Sequence, residues 1–397
     1  MTTNAVTTNA VTVVGGGLAG LVAAVTAAGN GAPVRLLEAH ATLGGRARTT
    51  APPHVAHEGP HVLYGDGAFW RWLVAQGLAR PYRRLPVGAA TAIRFRRGGR
   101  LRVAPSSGLV RLLSHRRRRA PVDQDFLGWA AGLHGEAAAA EAAAFAGVAT
   151  YTADPGALSA AFVWERLLRV SDVTGGPRYL VGGWSALVER LARRARELGV
   201  QIATAGPVTE LPDGPVIVAT SLPAARRLLG RPLPTPASSG TTVLVDAVVT
   251  ARRGDAFIVS DLDGPGWVEA FSRVDRTLCP PGTVLLQAQR PPRAGETRER
   301  ARRAAEDLVE AAAPGWRERC VWSRDSVAHR RSGALDPPGR TWRDRPAVDQ
   351  GDGVFLAGDE VAAPGLLAEV SFHSAVAAAD GACAALRRSA GRVRPGR

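Results

Sequence analysis

The sequence predicts an α/β fold in which a parallel, nucleotide-binding sheet layer is interrupted by α+β insertions of mixed antiparallel sheet and helices. Three observations predict it. The first is the opening stretch VTVVGGGLAGLVAAVTAAGNGAPVRLLEA, which reads as strand, glycine loop, helix, turn and strand. The second is a pair of short apolar runs far along the chain, Pro215 to Thr220 and Val354 to Ala357, each sized for a buried parallel strand. The third is a succession of strand-like segments from Thr241 to Gln289. Pro291-Pro292 closes it and a helical pattern from about Glu296 to Ala312 follows, as expected of an antiparallel sheet with a helix laid on it.

In the opening stretch Val11 to Val14 is the strand, and Gly15, Gly17 and Gly20 form G-x-G-x-x-G. The first glycine permits the tight turn, the second lets backbone approach a pyrophosphate, and the third lets the helix sit close to the sheet. Leu18 to Ala28 is the helix, whose N-terminus offers free N–H groups to an anion. Val34 to Leu37 is the second strand, and Glu38 ends it, 18 residues beyond Gly20. An acid there accepts a ribose hydroxyl and repels a 2′-phosphate. Together these residues predict a Rossmann-like dinucleotide site and leave open whether the dinucleotide is FAD or NAD.

A chain of 397 residues with 46% hydrophobic composition has material for two or three domains. The formal charge of +15 comes entirely from arginine, and the excess is spread along the sequence, so no nucleic-acid partner is expected. One dense run, His115-Arg116-Arg117-Arg118-Arg119 behind Leu109, Val110, Leu112 and Leu113, has the pattern of a basic membrane-surface segment, and equally of a solvated helix end. Cys279, Cys320 and Cys383 lie far apart and form neither a metal-spaced pair nor a disulfide framework, so no metal is expected. With no signal-peptide pattern and no apolar run of ~18 residues, the expected location is the cytoplasm, with room for peripheral contact at the inner face of the membrane and for a homodimer.

Leu43-Gly44-Gly45-Arg46-Ala47-Arg48-Thr49 resembles the second fingerprint of the flavoprotein superfamily that holds amine oxidases, protoporphyrinogen oxidases and phytoene-desaturase-like enzymes. The resemblance implies FAD. On physical grounds Gly44 and Gly45 permit close backbone approach, and Arg46 or Arg48 suits phosphate oxygens. His57 to Tyr64 is similar to the superfamily segment that nears the flavin ring, which puts His61 there; Gly182 to Leu187 is similar to its GG-x-x-x-L segment. By the same resemblance Val208 lies beside the adenine through its backbone, Gly358-Asp359 is the closing motif in which the acid contacts FAD, and a helix beginning near Glu369 to Phe372 points at the flavin. The expected FAD-binding domain is therefore discontinuous, residues 11–75, 178–230 and 348–390, with 76–177 and 231–347 forming the substrate-binding domain. Within the latter, Ala92 to Val103 reads as a hairpin turning at Gly98-Gly99, and Glu136 to Ala144 as a helix.

The implied activity is that of an FAD-dependent oxidoreductase removing hydride from a substrate. The lack of any lysine and the apolar stretch Pro364 to Ala368 depart from amine oxidases, and Glu369 to Ala375 resembles the phytoene-desaturase-like branch. The first expectation is thus a desaturase or dehydrogenase that forms a double bond in a lipophilic or neutral small molecule. The alternatives are an amine or amino-acid oxidase, and a redox-neutral isomerase, cyclase or non-catalytic flavoprotein. No second nucleotide fingerprint appears, which leaves flavin reoxidation to oxygen, a quinone or another acceptor. His61, Glu369 and His373 are the candidate catalytic residues, and Tyr64 and Trp184 candidate cavity walls.

Overall fold

The computed structural model describes residues 9–59, 62–86, 88–172 and 176–392. His61 lies outside the described residues.

A five-stranded parallel sheet forms the first layer, in the order Val354–Leu356, Val216–Val218, Val11–Val14, Val34–Leu37, Gln201–Ala203. Val11–Val14 and Val216–Val218 are buried at every residue, which is why they read as unbroken apolar runs. The helix Leu18–Gly29 lies on this sheet against the long C-terminal helix Ala368–Arg392. Asn30 Nδ2 donates to Asp380 Oδ1 at 2.9 Å, and Gly381 lets the helix close on Phe355, whose ring would be 2.4 Å from a Cβ there. The helix Gly183–Glu197 also packs on the opening helix, burying Trp184, Leu187 and Leu191.

The sequence GVQIATAGPVTEL reads as a strand, a turn and a short strand; beyond Gln201–Ala203 the second strand does not form. Ala205 takes a left-handed φ of 61°, and the N–H groups of Ala205 and Gly206 donate to the carbonyls of His40 and Glu38. The chain therefore folds over the end of the second strand, and Pro207 has no N–H with which to start a ladder.

The second layer is a seven-stranded sheet, in the order Cys320–His329, Thr241–Thr250, Thr283–Arg290, Trp267–Glu269, Ile258–Asp261, Ile93–Arg97, Arg100–Arg102. Its pairs are antiparallel except Ile258–Asp261 with Ile93–Arg97, which are parallel. The helix Arg298–Ala312 covers one face with Ala305, Leu308 and Val309. The other face carries a cross-strand row, Glu269 opposite Gln287, Gln287 in line with Asp246, and Asp246 opposite Arg324. The apolar pattern from Trp267 to Ser272 reads as one strand, but the strand ends at Glu269, because Phe271–Arg273 closes into a 3₁₀ turn. A three-stranded sheet of Val62–Tyr64, Pro177–Leu180 and Tyr82–Arg84 contributes Leu63 and Leu180 to the core of the parallel layer and Tyr179 to that of the second, and its Tyr179 hydroxyl reaches Glu269. Helices Ser107–Ser114, Phe126–His134, Glu136–Thr150 and Ala160–Val170 share a separate core with Leu262 and Leu335.

Candidate functional site

A cavity of about 750 Å³ opens at the carboxyl ends of the parallel strands, where open α/β sheets place ligands. Two glycine loops make its floor. Gly44 N–H donates to Gly16 O at 2.8 Å, and Gly17 and Gly44 form a parallel bridge, so bare backbone from both fingerprints faces the cavity. Gly15 and Gly20 have a different task. A Cβ on Gly15 would sit 2.6 Å from Ala219 O, and one on Gly20 would sit 1.8 Å from Gly15 O. These two glycines let loop, helix and neighbouring strand interlock.

Glu38 is 6% exposed and lines the cavity. Its Oε2 accepts the Gly16 N–H at 2.6 Å and its Oε1 the His40 N–H at 2.9 Å. The carboxylate is fixed, and each oxygen keeps acceptor capacity for a ribose hydroxyl. Val208 lies in the wall at that end, among Pro207, Thr209, Ala224, Arg227 and Leu228. At the other end Gly358, Asp359, Leu367, Ala368, Ser371 and Trp184 close the cavity. Ser374, which the sequence did not single out, anchors this end: its hydroxyl accepts the Gly358 N–H at 2.9 Å and lies 2.8 Å from Val370 O.

The arginines near the cavity also have protein partners. Arg46 lines the cavity, but Nη2 is paired with Asp359 Oδ1 at 2.5 Å and Nη1 donates to Arg330 O. Arg48 is half-buried and does not line the cavity; its Nε has no hydrogen-bond partner among the described residues. Arg331, held by Glu58 at 3.0 Å, lines the cavity instead. The bare-backbone floor, the helix N-terminus, Glu38 and the Arg46–Asp359 pair fit a dinucleotide cofactor. Arg46→Ala is expected to weaken FAD binding about tenfold or more, roughly 1.5–3 kcal/mol for a lost charge-assisted contact and an orphaned Asp359. A flavin-fluorescence titration of the apoprotein measures it.

Neither remaining catalytic candidate with a described position lines this cavity. Glu369 lines a small adjoining pocket and lies 3.6 Å from Arg169, over Gly67. His373 Nδ1 is 2.9 Å from Pro364 O, a contact that holds the Pro364 loop. Of the proposed walls, Trp184 lines the cavity. Tyr64 lines the adjoining pocket under the Arg169 guanidinium, 4.6 Å from the ring centre, and burial pushes its hydroxyl up to about 12.

A buried polar cluster lies beyond the wall. Val62 lines both cavities and stands opposite Tyr179 across the small sheet, so the two side chains share a face. Tyr179 Oη donates to Glu269 Oε1 at 2.8 Å. Glu269 is 7% exposed, and burial pushes its carboxyl up to about 8 against the lowering effect of the Tyr179 bond. Nearby, Tyr151 meets Trp267 edge-on, 5.3 Å between ring centres, at a left-handed φ of 54°. Its hydroxyl and Gln289 Oε1 are both buried, and the hydroxyl interacts with the Gln289 side chain. In the same sheet row Gln287 holds His57: Nδ1 is 3.2 Å from Oε1, which assigns the proton to Nδ1, while burial pushes the imidazole down to about 4 and keeps it neutral. In sequence, WVEAF and QAQR read only as alternating strands; the signal was a polar residue at every second position on the face away from the covering helix.

Residues 13–75 match the family described as NAD(P)-binding Rossmann-like domain. No curated protein matches the chain in sequence. Among solved structures, an oxidoreductase from Methanosarcina mazei superposes with a TM-score of 0.73 at 15% identity, covering 93% of this chain and 99% of that one. Cyclohexylamine oxidase from Brevibacterium oxydans superposes with a TM-score of 0.72 at 18% identity, over 96% and 99%. Reduced UDP-galactopyranose mutase gives 0.68 at 13% identity, over 98% and 96%. The fold they share with this chain, along nearly its whole length, is a Rossmann-like α/β architecture carrying mixed sheets and helices.

Proposed function

We propose that this chain is an FAD-dependent oxidoreductase that removes hydride from a substrate with an apolar body and one hydrogen-bonding or ionisable group, an amine being the leading case. The double-glycine cradle ending at Glu38 supports FAD, which when bound supplies the hydride acceptor. The observation that carries the substrate reading is the buried cluster of Glu269, Tyr179, Tyr151 and Gln289, one residue behind the cavity wall at Val62. A buried carboxyl beside aromatic faces and further polar side chains is matched by a group that donates hydrogen bonds. At neutral pH the protonated Glu269 would hold the substrate nitrogen by a hydrogen bond, and above about pH 8 its carboxylate would take up the ammonium proton, leaving the nitrogen lone pair to assist hydride loss. Leu366 and Leu367, which line the adjoining pocket with Val62, suit the apolar body.

Formation of a double bond in a wholly lipophilic substrate is the second reading, favoured by that same Leu366-Leu367 loop and by the absence of lysine. The two readings separate in one experiment. The FAD-loaded protein is mixed without oxygen with cycloalkyl and aliphatic amines, and with neutral lipophilic alkenes of similar size. Loss of the flavin absorbance near roughly 450 nm with amines alone is the expected result. Bleaching by alkenes alone would establish the second reading. Bleaching by neither, with turnover only after chemical reduction, would mark a redox-neutral flavoprotein.

A further inference from the structure

Residues 93–119 contain ten arginines and no acid. The fold gathers them on one edge of the molecule. The hairpin Ile93–Arg97 and Arg100–Arg102 is the outermost part of the seven-stranded sheet, and the helix Ser107–Ser114 follows it directly. Both are pinned to the helix Glu136–Thr150. Glu141 holds Arg97 Nε at 2.6 Å and also accepts the Ser106 hydroxyl, the N-cap of the short helix. One turn earlier Ala138 packs on Gly108, where an added Cβ would lie 2.9 Å from the alanine methyl. Hairpin and helix are therefore fixed side by side.

What this edge shows to solvent is mixed. Val103 is 78% exposed, Val110 52% and Leu101 41%. Among the described residues, Arg100, Arg102, Arg111, Arg117, Arg118 and Arg119 form no ion pair with an acid. General arginine richness does not account for this. The helix Arg298–Ala312 also carries four arginines, yet there Glu299 pairs with Arg302 and Arg303, and Glu306 with Arg302 and Arg317. The aromatic residue of the basic segment, Phe95, is turned inward against Phe145, 6.4 Å between ring centres, so the edge offers no stacking platform for bases.

We propose that the edge formed by residues 100–119 docks on a membrane surface of anionic phospholipid, its arginines on the headgroup phosphates and Val103, Val110 and Leu101 in the acyl boundary. Unpaired guanidinium groups flanking exposed aliphatic side chains complement that surface in both charge and polarity. Among the described residues no helix is long and apolar enough to cross a membrane, so the contact is peripheral. The proposal does not depend on the substrate.

The test is co-sedimentation of the full chain with phosphatidylcholine vesicles, with and without 30% phosphatidylglycerol, at low and high salt. The expected result is binding only to the anionic vesicles, weakened by salt. Each arginine at such a surface is worth about fivefold in partition, so R117Q/R118Q/R119Q should lower binding by about 100-fold. V103S/V110S should lower the part that survives high salt. R100Q/R102Q, at solvent-exposed hairpin positions, gives the same test should the triple variant melt early. Equal binding to neutral and anionic vesicles, or wild-type binding by both arginine variants, would overturn the proposal. So would absence of vesicle binding together with tight, salt-sensitive binding of a single-stranded oligonucleotide, which would assign the edge to nucleic acid.

Discussion

Alanine at position 20 is expected to leave a protein that unfolds early and retains no FAD. The new methyl would lie 1.8 Å from Gly15 O, 3.0 Å from Gly15 C and 3.3 Å from the Ala219 methyl. Two of these three contacts are backbone, and no side chain can rotate to relieve them. The loop would have to move against the strand Val216–Val218, at a cost of about 3 kcal/mol or more, the upper end for an overpacked site. Gly17→Ala is the control. A Cβ there meets only Gly45 Cα, at 3.9 Å, so the empty fold accommodates it. It points into the space a pyrophosphate would need, and FAD affinity alone should fall. Thermal unfolding and flavin fluorescence, measured on both variants, separate the two effects. A Gly17→Ala protein that binds FAD normally would remove the cofactor from this cavity.

The second large effect is expected at Glu269. Its carboxyl is pushed from 4.5 up to about 8, chiefly by burial. Between those values the unfolded chain releases the proton and the folded chain keeps it, so stability falls as pH rises through this window, by at most ~1.4 kcal/mol per unit. Glu269→Gln keeps the shape, cannot ionise, and should flatten that slope. His57 works in the opposite direction: it is pushed from 6.5 down to about 4, so its contribution is lost as pH falls through that interval. Urea unfolding at pH 5, 6.5 and 8 resolves the two. An unchanged slope in E269Q would mean the carboxylate is already charged in the fold. On function, E269Q should raise KM for an amine about 100-fold and leave a neutral apolar substrate unaffected, a split that a merely structural role would not produce.

Sequence reasoning reached the first βαβ unit almost residue by residue, because its physics is local. The Gly15 turn, the apolar helix and the Val34–Leu37 strand each depend on neighbours within a few positions, and Glu38 follows at fixed spacing. It went astray where the partner is distant. Arg46 reads as a phosphate ligand and lines the cavity, but its pairing with Asp359, 313 positions away, has no local signal. Glu269 reads as one residue of a short strand; its burial depends on Tyr179, 90 positions earlier. The edge strand Cys320–His329 has no clear alternating pattern, since its exposed positions carry Val321, Ser323, Asp325 and His329, and its identity comes from pairing with Thr241–Thr250. Around Val208 the strand is prevented locally, by the proline at 207 and the turn at Ala205.

The parallel sheet has an implication for how the chain is made. Its outer strand, Val354–Leu356, and the helix that shields the opening helix are contributed by the final part of the sequence. While the ribosome is still translating residues 231–347, the nascent sheet must end at Val216–Val218, an entirely buried strand in the finished fold. That edge and the bare flank of Leu18–Gly29 stay wet for many seconds at ordinary elongation rates. Unpaired apolar strand edges recruit other chains. Yield in a heterologous host should therefore respond more to chaperone supply and synthesis speed than to added flavin, since the pocket does not exist until the last helix docks.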